Sequence, residues 1–259
     1  MELGLKGKLA VITGGSVGIG LAIADGFAAE GANLLIAARD VDRASAEAAR
    51  IAARFGVRAE AVRADVATAD GCARVIAAAS GMGGADILIN NAGTGSEETI
   101  LTADDARWQF YWDLHVMAAV RLARGLVPQM KAKGGGVVLH NASICAVQPL
   151  WYEPIYNTTK AALMMFSKTL AMEVVGDNIR VNTVNPGLVL TPDWIKTAKL
   201  LAGDNWQAHL DKVAEDAGGM KRFASPEEIA NLFVFLSSDK ASYATGSTYF
   251  IDGGWLKTV

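Results

Sequence analysis

The sequence predicts one α/β domain in which a parallel, doubly wound, Rossmann-like sheet of about seven strands carries helices on both faces. Three observations predict it. Short runs rich in Val, Ile and Leu recur at 9–12, 33–38, 57–62, 86–89, 137–140, 179–184 and 248–251 without in/out alternation, as strands covered on both faces do. Between them lie stretches with apolar positions at helical spacing and charges opposite, 41–55 being the clearest. Finally, 259 residues without a Pro/Ser-rich linker or a break in composition suit a single hydrophobic core over 1–259.

Composition narrows the class further. With 51% hydrophobic and 20% charged residues the chain is far from disorder, and a net charge of −3 gives no surface for nucleic acid. Cys72 and Cys145 lack metal-like spacing and read as free thiols of a reducing compartment, and no His/Cys/Asp/Glu cluster suggests a metal. The amino-terminal run is too short for a secretory leader, and no apolar stretch is long enough to span a bilayer, so the expectation is a cytoplasmic protein away from membranes.

The first strand runs into Thr13-Gly14-Gly15-Ser16-Val17-Gly18-Ile19-Gly20, and a helix follows. Glycines there let the backbone turn tightly against a pyrophosphate, whose charge meets helix amides; the bland reading is a tight connection with no ligand. After the second strand, Ala38 takes the place where an acidic residue would chelate the adenosine ribose, and Arg39 follows. That favours a 2′-phosphate, hence NADP(H), with NAD(H) the alternative; the glycine turn itself offers no second cation. Asp40 could instead cap the next helix, leaving Arg39 a surface charge.

Tyr156 and Lys160 stand four apart at the start of a long helical pattern, on one face. An ammonium there should pull the phenol's pKa down toward working pH and make Tyr156 a general acid/base. Ser143, at the end of the 137–140 strand, could hydrogen-bond the same substrate oxygen.

Thr13–Gly20, Asn90-Asn91-Ala92-Gly93, Ser143, Tyr156-x-x-x-Lys160, Asn185-Pro186-Gly187 and Asp252-Gly253-Gly254 fall in the order and spacing of the short-chain dehydrogenase/reductase family, which the chain resembles along its whole length. The resemblance implies hydride transfer between a nicotinamide and a carbonyl or secondary alcohol. It implies cofactor contacts from Gly14, Ser16, Val17, Gly18, Ile19 and Gly20, and from Asp65 and Val66 at the adenine. Asn91, Ala92 and Gly93 would lie beside the adenosine, and Pro186, Gly187, Val189 and Thr191 at the nicotinamide. Lys160 would also bond the nicotinamide ribose. A homotetramer is implied, packed through the helices 103–130 and 156–175. For Asp65 the bland role is capping the following helix.

One departure from the family pattern is His115, which takes the place of an active-site asparagine. It could complete a proton relay from Lys160 to solvent, or be a satisfied core histidine. The segment 188–220 breaks the strand–helix rhythm and is expected to be a lid over the crevice, a packed helical hairpin being the alternative. Trp112, Trp151, Tyr152 and Trp194 suggest a substrate with an apolar or ring portion, and Glu153 and Glu97 recognition of a polar group. His140 is expected to be structural, His209 exposed, Cys145 near the substrate, and 134–136 a plain turn. Two rival functions stay open: an isomerase or lyase on the same scaffold, and a dinucleotide-binding regulatory protein.

Overall fold

The computed structural model describes residues 2–95 and 97–257. Strands and helices alternate: β1 (Leu9–Thr13), α1 (Gly18–Ala29), β2 (Asn33–Ala38), α2 (Val41–Phe55), β3 (Ala59–Arg63), α3 (Ala69–Gly81) and β4 (Ile87–Asn90). Then come α4 (Asp105–Trp112), α5 (Ala118–Ala132), β5 (Gly136–Asn141), α6 (Pro154–Val174) and β6 (Ile179–Pro186). The chain closes with α7 (Pro192–Ala202), α8 (Trp206–Ala217), α9 (Pro226–Ser237) and β7 (Thr248–Ile251). All seven strands form one parallel sheet in the order β3-β2-β1-β4-β5-β6-β7.

The sheet is closed to water on both faces at its centre, which is why its inner strands read as unbroken apolar runs. Under α1, α2 and α9 lies a core built on Ile12, Phe27, Ile36, Ile51 and Phe233; under α3, α5 and α6 lies a second, with Val11, Val75, Leu88, Leu122 and Leu126. Only the edge strands β3 and β7 are partly exposed, so there the expectation of burial on both faces fails.

Local chemistry sets the element ends. The Asp40, Thr68 and Asp104 side chains accept the N3 amides of α2, α3 and α4, and Ser225 and Glu228 cap α9 reciprocally. Gly56, at φ 69°, closes α2. Helix α1 has no side-chain cap, so its first amides stay available.

The long helix expected over 103–130 runs through 105–132 but is not uniformly α-helical. Between α4 and α5 the chain widens into a π-turn over Asp113–Met117. Asp113 accepts from Arg121 at 2.7 Å and from Gln109 at 2.8 Å, bracing the turn that carries His115 inward. The order of strands reverses between β1 and β4, the switch point beyond whose carboxyl ends sheets of this kind hold their ligand crevice.

Candidate active site

The glycine turn stands at that crevice. Gly14 and Gly18 have φ of 65° and 55°, which side-chain-bearing residues rarely adopt, and a Cβ at Gly20 would strike the Gly14 carbonyl. A Cβ at Gly18 would lie 3.6 Å from Thr191 and Pro192, so the first turn of α1 faces the base of 188–220 across the crevice. Backbone this close, ahead of an uncapped helix, fits a dinucleotide's pyrophosphate. Ser16 is buried and Val17 partly exposed beside Ile19. Ala38 ends β2 with no acidic side chain, and Arg39 is exposed beyond it. Asp40 is indeed the cap of α2. Asp65 does not cap α3: its carboxylate accepts from Ala67 N–H at 3.1 Å, and Thr68 is the cap. Val66 is buried behind it.

Two strands and one helix deliver the reacting groups. Ser143 follows β5 and is buried; its Oγ accepts the Cys145 amide at 3.1 Å and is hydrogen-bonded to the Tyr156 phenol. Asn185, on β6, donates to the Ser143 carbonyl at 2.7 Å and fixes that loop. Lys160 lies one turn along α6 from Tyr156, its Nζ 5.3 Å from the tyrosine ring centre, and donates to the Asn141 carbonyl at 2.7 Å. Among the described residues it has no carboxylate partner, an expensive arrangement for a buried ammonium. Burial brings it down to about 8.

The expectation that Lys160 lowers the Tyr156 pKa is not what the site does. Removal from water raises the phenol well above its ordinary value, and the Ser143 hydrogen bond only moderates this. Tyr156 is therefore a protonated phenol at neutral pH, ready to give a proton rather than take one.

His115 is buried with both ring nitrogens committed. Its Nε2 accepts the Thr94 amide at 3.4 Å, which requires the proton on Nδ1, where it is donated to Thr159 Oγ at 2.8 Å. Thr159 donates onward to the Ile155 carbonyl at 2.9 Å. Burial and the Lys160 charge hold His115 well below its usual range, so it is neutral. This closed chain makes His115 a strut between the Gly93–Thr94 turn and α6, with no nitrogen left for a relay. Behind it lies a cavity of about 10 Å³, roughly one water, among Thr13, Asn90, Ala92 and His115.

A buried amide network, which the motifs alone do not reveal, joins the cofactor turn to the lysine. Asn91 donates to the Thr13 and Gly14 carbonyls at 3.0 and 3.2 Å and accepts from Asn141 at 2.8 Å. Asn141 is the residue whose carbonyl holds Lys160. His140 is structural as expected, fully buried against Asn90 at 3.2 Å.

Glu153 is half-buried next to Gly95, close enough for its charge to act on the Tyr156 phenol. Burial, then the charges of Glu98 and Glu97, raise its carboxyl to about 7. Cys145 is a buried thiol whose pKa burial raises, which disfavours the thiolate. Of the four aromatic residues, Trp151 is exposed with Tyr152 edge-on against it, Trp112 is exposed on α4, and Trp194 meets Phe223 edge-to-face. At the far side of the site Gly187 fits where a Cβ would lie 2.8 Å from Asp252 Cα, Pro186 ends β6, and Val189 is buried and bridged to Ala224. Thr191 caps α7, and α7 and α8 form the 188–220 hairpin, with His209 half-buried. Among the described residues no group of His, Cys, Asp and Glu could hold a metal, and no helix is long and apolar enough to cross a membrane.

A family model described as enoyl-(acyl carrier protein) reductase matches residues 14–256. The chain is 34% identical to dehydrogenase/reductase SDR family member 4 of Oryctolagus cuniculus, over 96% of this chain and 94% of that one. It is 30% identical to 2-keto-3-deoxy-L-fuconate dehydrogenase of Xanthomonas campestris, over 97% and 81%. It also superimposes with a TM-score of 0.98 on L-sorbose reductase from Gluconobacter frateurii, solved with NADPH and L-sorbose, at 65% identity over 100% of both chains.

Proposed function

The chain belongs to the short-chain dehydrogenase/reductase family, the NAD(P)(H)-dependent oxidoreductases of carbonyl and alcohol groups, and from that premise we propose that it is an NADP(H)-dependent reductase of polyhydroxylated ketones of the ketose class. The observation that carries the reading is a protonated Tyr156 hydrogen-bonded to Ser143, with the Glu153 carboxyl near enough for its charge to act on the same phenol.

The cofactor supplies the hydride. Gly14–Gly20, Arg39, Asp65, Val66, Asn91–Gly93, Pro186, Gly187, Val189 and Thr191 would hold it. Tyr156 Oη donates its proton to the substrate's carbonyl oxygen as negative charge gathers there, and Ser143 Oγ donates a hydrogen bond to the same oxygen. Lys160 Nζ, fixed by Asn141, holds its positive charge one turn away and steadies the phenolate left behind. His115 and Asn141 position this set. Glu153 accepts hydrogen bonds from substrate hydroxyls, a task an apolar wall could not perform and one that repels anionic substrates. The Glu153 carboxyl near Tyr156 and the likeness to an enzyme solved with L-sorbose support the ketose class.

We further read α7 and α8 as the lid over this crevice. The exposed Met165 and Met172 on α6, and Phe250 on the edge strand β7, are apolar surface that a homotetramer would cover. Two reduced, buried cysteines agree with the cytoplasm. The isomerase or lyase and regulatory readings are weaker, because every group that reduction needs is present and paired.

The test is NADPH and NADH consumption against L-sorbose, other ketoses, a steroid ketone and a 3-oxoacyl thioester. The expected result is turnover of ketoses with NADPH. Turnover confined to the steroid or the thioester would overturn the substrate class.

A further inference from the structure

Among the described residues, two arginines at the carboxyl end of the sheet form no ion pair. Arg39 follows β2 directly and Arg63 ends β3, and both are exposed. Ala38 and Arg63 are partners in the parallel register, and the Ala64 amide donates to the Ala38 carbonyl at 3.0 Å. Arg39 and Arg63 therefore start from the ends of adjacent, paired strands, Arg39 at the bend one residue past the Ala38 that pairs with Arg63. Ala59 and Ala61 pack into the core under α1 and α2, and Arg63, in step with them, points to that same face. This is the face on which the uncapped start of α1 lies.

Neighbouring arginines are engaged differently. Arg43 pairs with Asp40 at 2.7 Å, Arg50 with Asp25 at 2.7 Å, and Arg58, at the other end of β3, with Glu60 at 2.6 Å. Asp40 is the acid whose carboxylate feels the Arg63 charge, yet it already accepts the Arg43 amide and two guanidinium nitrogens. Among the described residues, Arg39 and Arg63 have no hydrogen-bonded carboxylate. Two unsatisfied guanidinium groups, beside a strand end that offers Ala38 in place of an acid, suit a phosphate dianion.

We propose that Arg39 and Arg63 together grip the 2′-phosphate of the dinucleotide, and that Arg63 is the second residue setting NADP(H) over NAD(H). The proposal rests on the NADP(H) reading above. It supplies the second cation that the glycine turn lacks, and it places that cation on the neighbouring strand.

The test is direct binding, measured by calorimetry on the full chain with 2′,5′-ADP and with 5′-AMP, which differ by that phosphate alone. Wild type should prefer 2′,5′-ADP. Arg63→Gln should lower its affinity about tenfold, as loss of a charged hydrogen-bonding group does, and leave 5′-AMP unchanged. Arg63→Lys, which keeps the charge and loses the fork, should recover part of the loss. A wild type without preference for 2′,5′-ADP would overturn the NADP(H) reading and the clamp with it. A wild-type preference that survives intact in Arg63→Gln would overturn the clamp alone, as would an equal loss of both ligands, which marks a structural role.

Discussion

Glu153→Gln should stabilise the fold and damage the enzyme, and the two effects have one cause. The Glu153 carboxyl holds its proton to about 7 where an ordinary one releases it at 4.5. A folded-state pKa raised in this way means the folded chain binds more protons than the unfolded one. Stability therefore falls as pH rises from about 4.5 toward 7, and stays at the lower level beyond. At about 1.4 kcal/mol per pH unit, keeping the ionised group in place costs on the order of 3 kcal/mol. Glutamine removes the charge but still buries an amide, so roughly 1–3 kcal/mol should be regained at pH 8 and almost nothing at pH 4.5. For a chain of this size that is a rise in Tm of roughly 3–10 °C at pH 8. Thermal unfolding of both proteins at the two pH values measures it. In the same preparations kcat/KM for a ketose should drop about 10- to 100-fold, the loss of a charged hydrogen bond to substrate. Equal stability differences at both pH values, or a less stable variant at pH 8, would refute the reasoning, because the carboxylate would then not be a strained buried charge.

His115→Asn should keep most activity, since an amide can still accept from Thr94 and donate to Thr159. His115→Leu strips the Thr94 amide of its acceptor, at a cost of about 1–3 kcal/mol, while Thr159 keeps its bond to the Ile155 carbonyl, and should lose most of kcat; an unchanged rate in the Leu variant would remove the strut. Lys160 titrates near 8, so kcat/KM for reduction should decline above about pH 8 as its charge is lost, and a flat profile to pH 10 would contradict that role. The depressed lysine pKa also means that stability rises between about 8 and 10.5, opposite in sign to the activity, which separates the two effects in a pH series.

Much of the architecture was legible because buried parallel strands are written as apolar runs. The runs at 33–38 and 248–251 coincide with β2 and β7, and the others differ from the strands by one or two residues at their ends. Ser143, Tyr156 and Lys160 were legible from order and spacing, and they do meet. What escaped depends on packing across the sheet. The π-turn at Asp113–Met117 breaks a pattern that is helical on both sides of it, and nothing in residue spacing marks the extra residue. The rise of the Tyr156 pKa comes from burial by neighbours distant in sequence, which outweighs the local lysine that spacing reveals. The Asn91–Asn141 bridge spans 50 residues. Arg63 gains its meaning from register with Ala38, a relation between strands that no motif records.

The reading stands or falls on where the hydride goes. NADPH deuterated at both positions of nicotinamide C4 should be mixed with L-sorbose and the enzyme, and the product examined by mass spectrometry and NMR. One deuterium on the new carbinol carbon for each NADPH oxidised, with the rate lowered at least 100-fold in Tyr156→Phe, is the predicted result. Ketose consumed with no change in NADPH absorbance, or a product free of label, would contradict it and restore the isomerase or lyase reading.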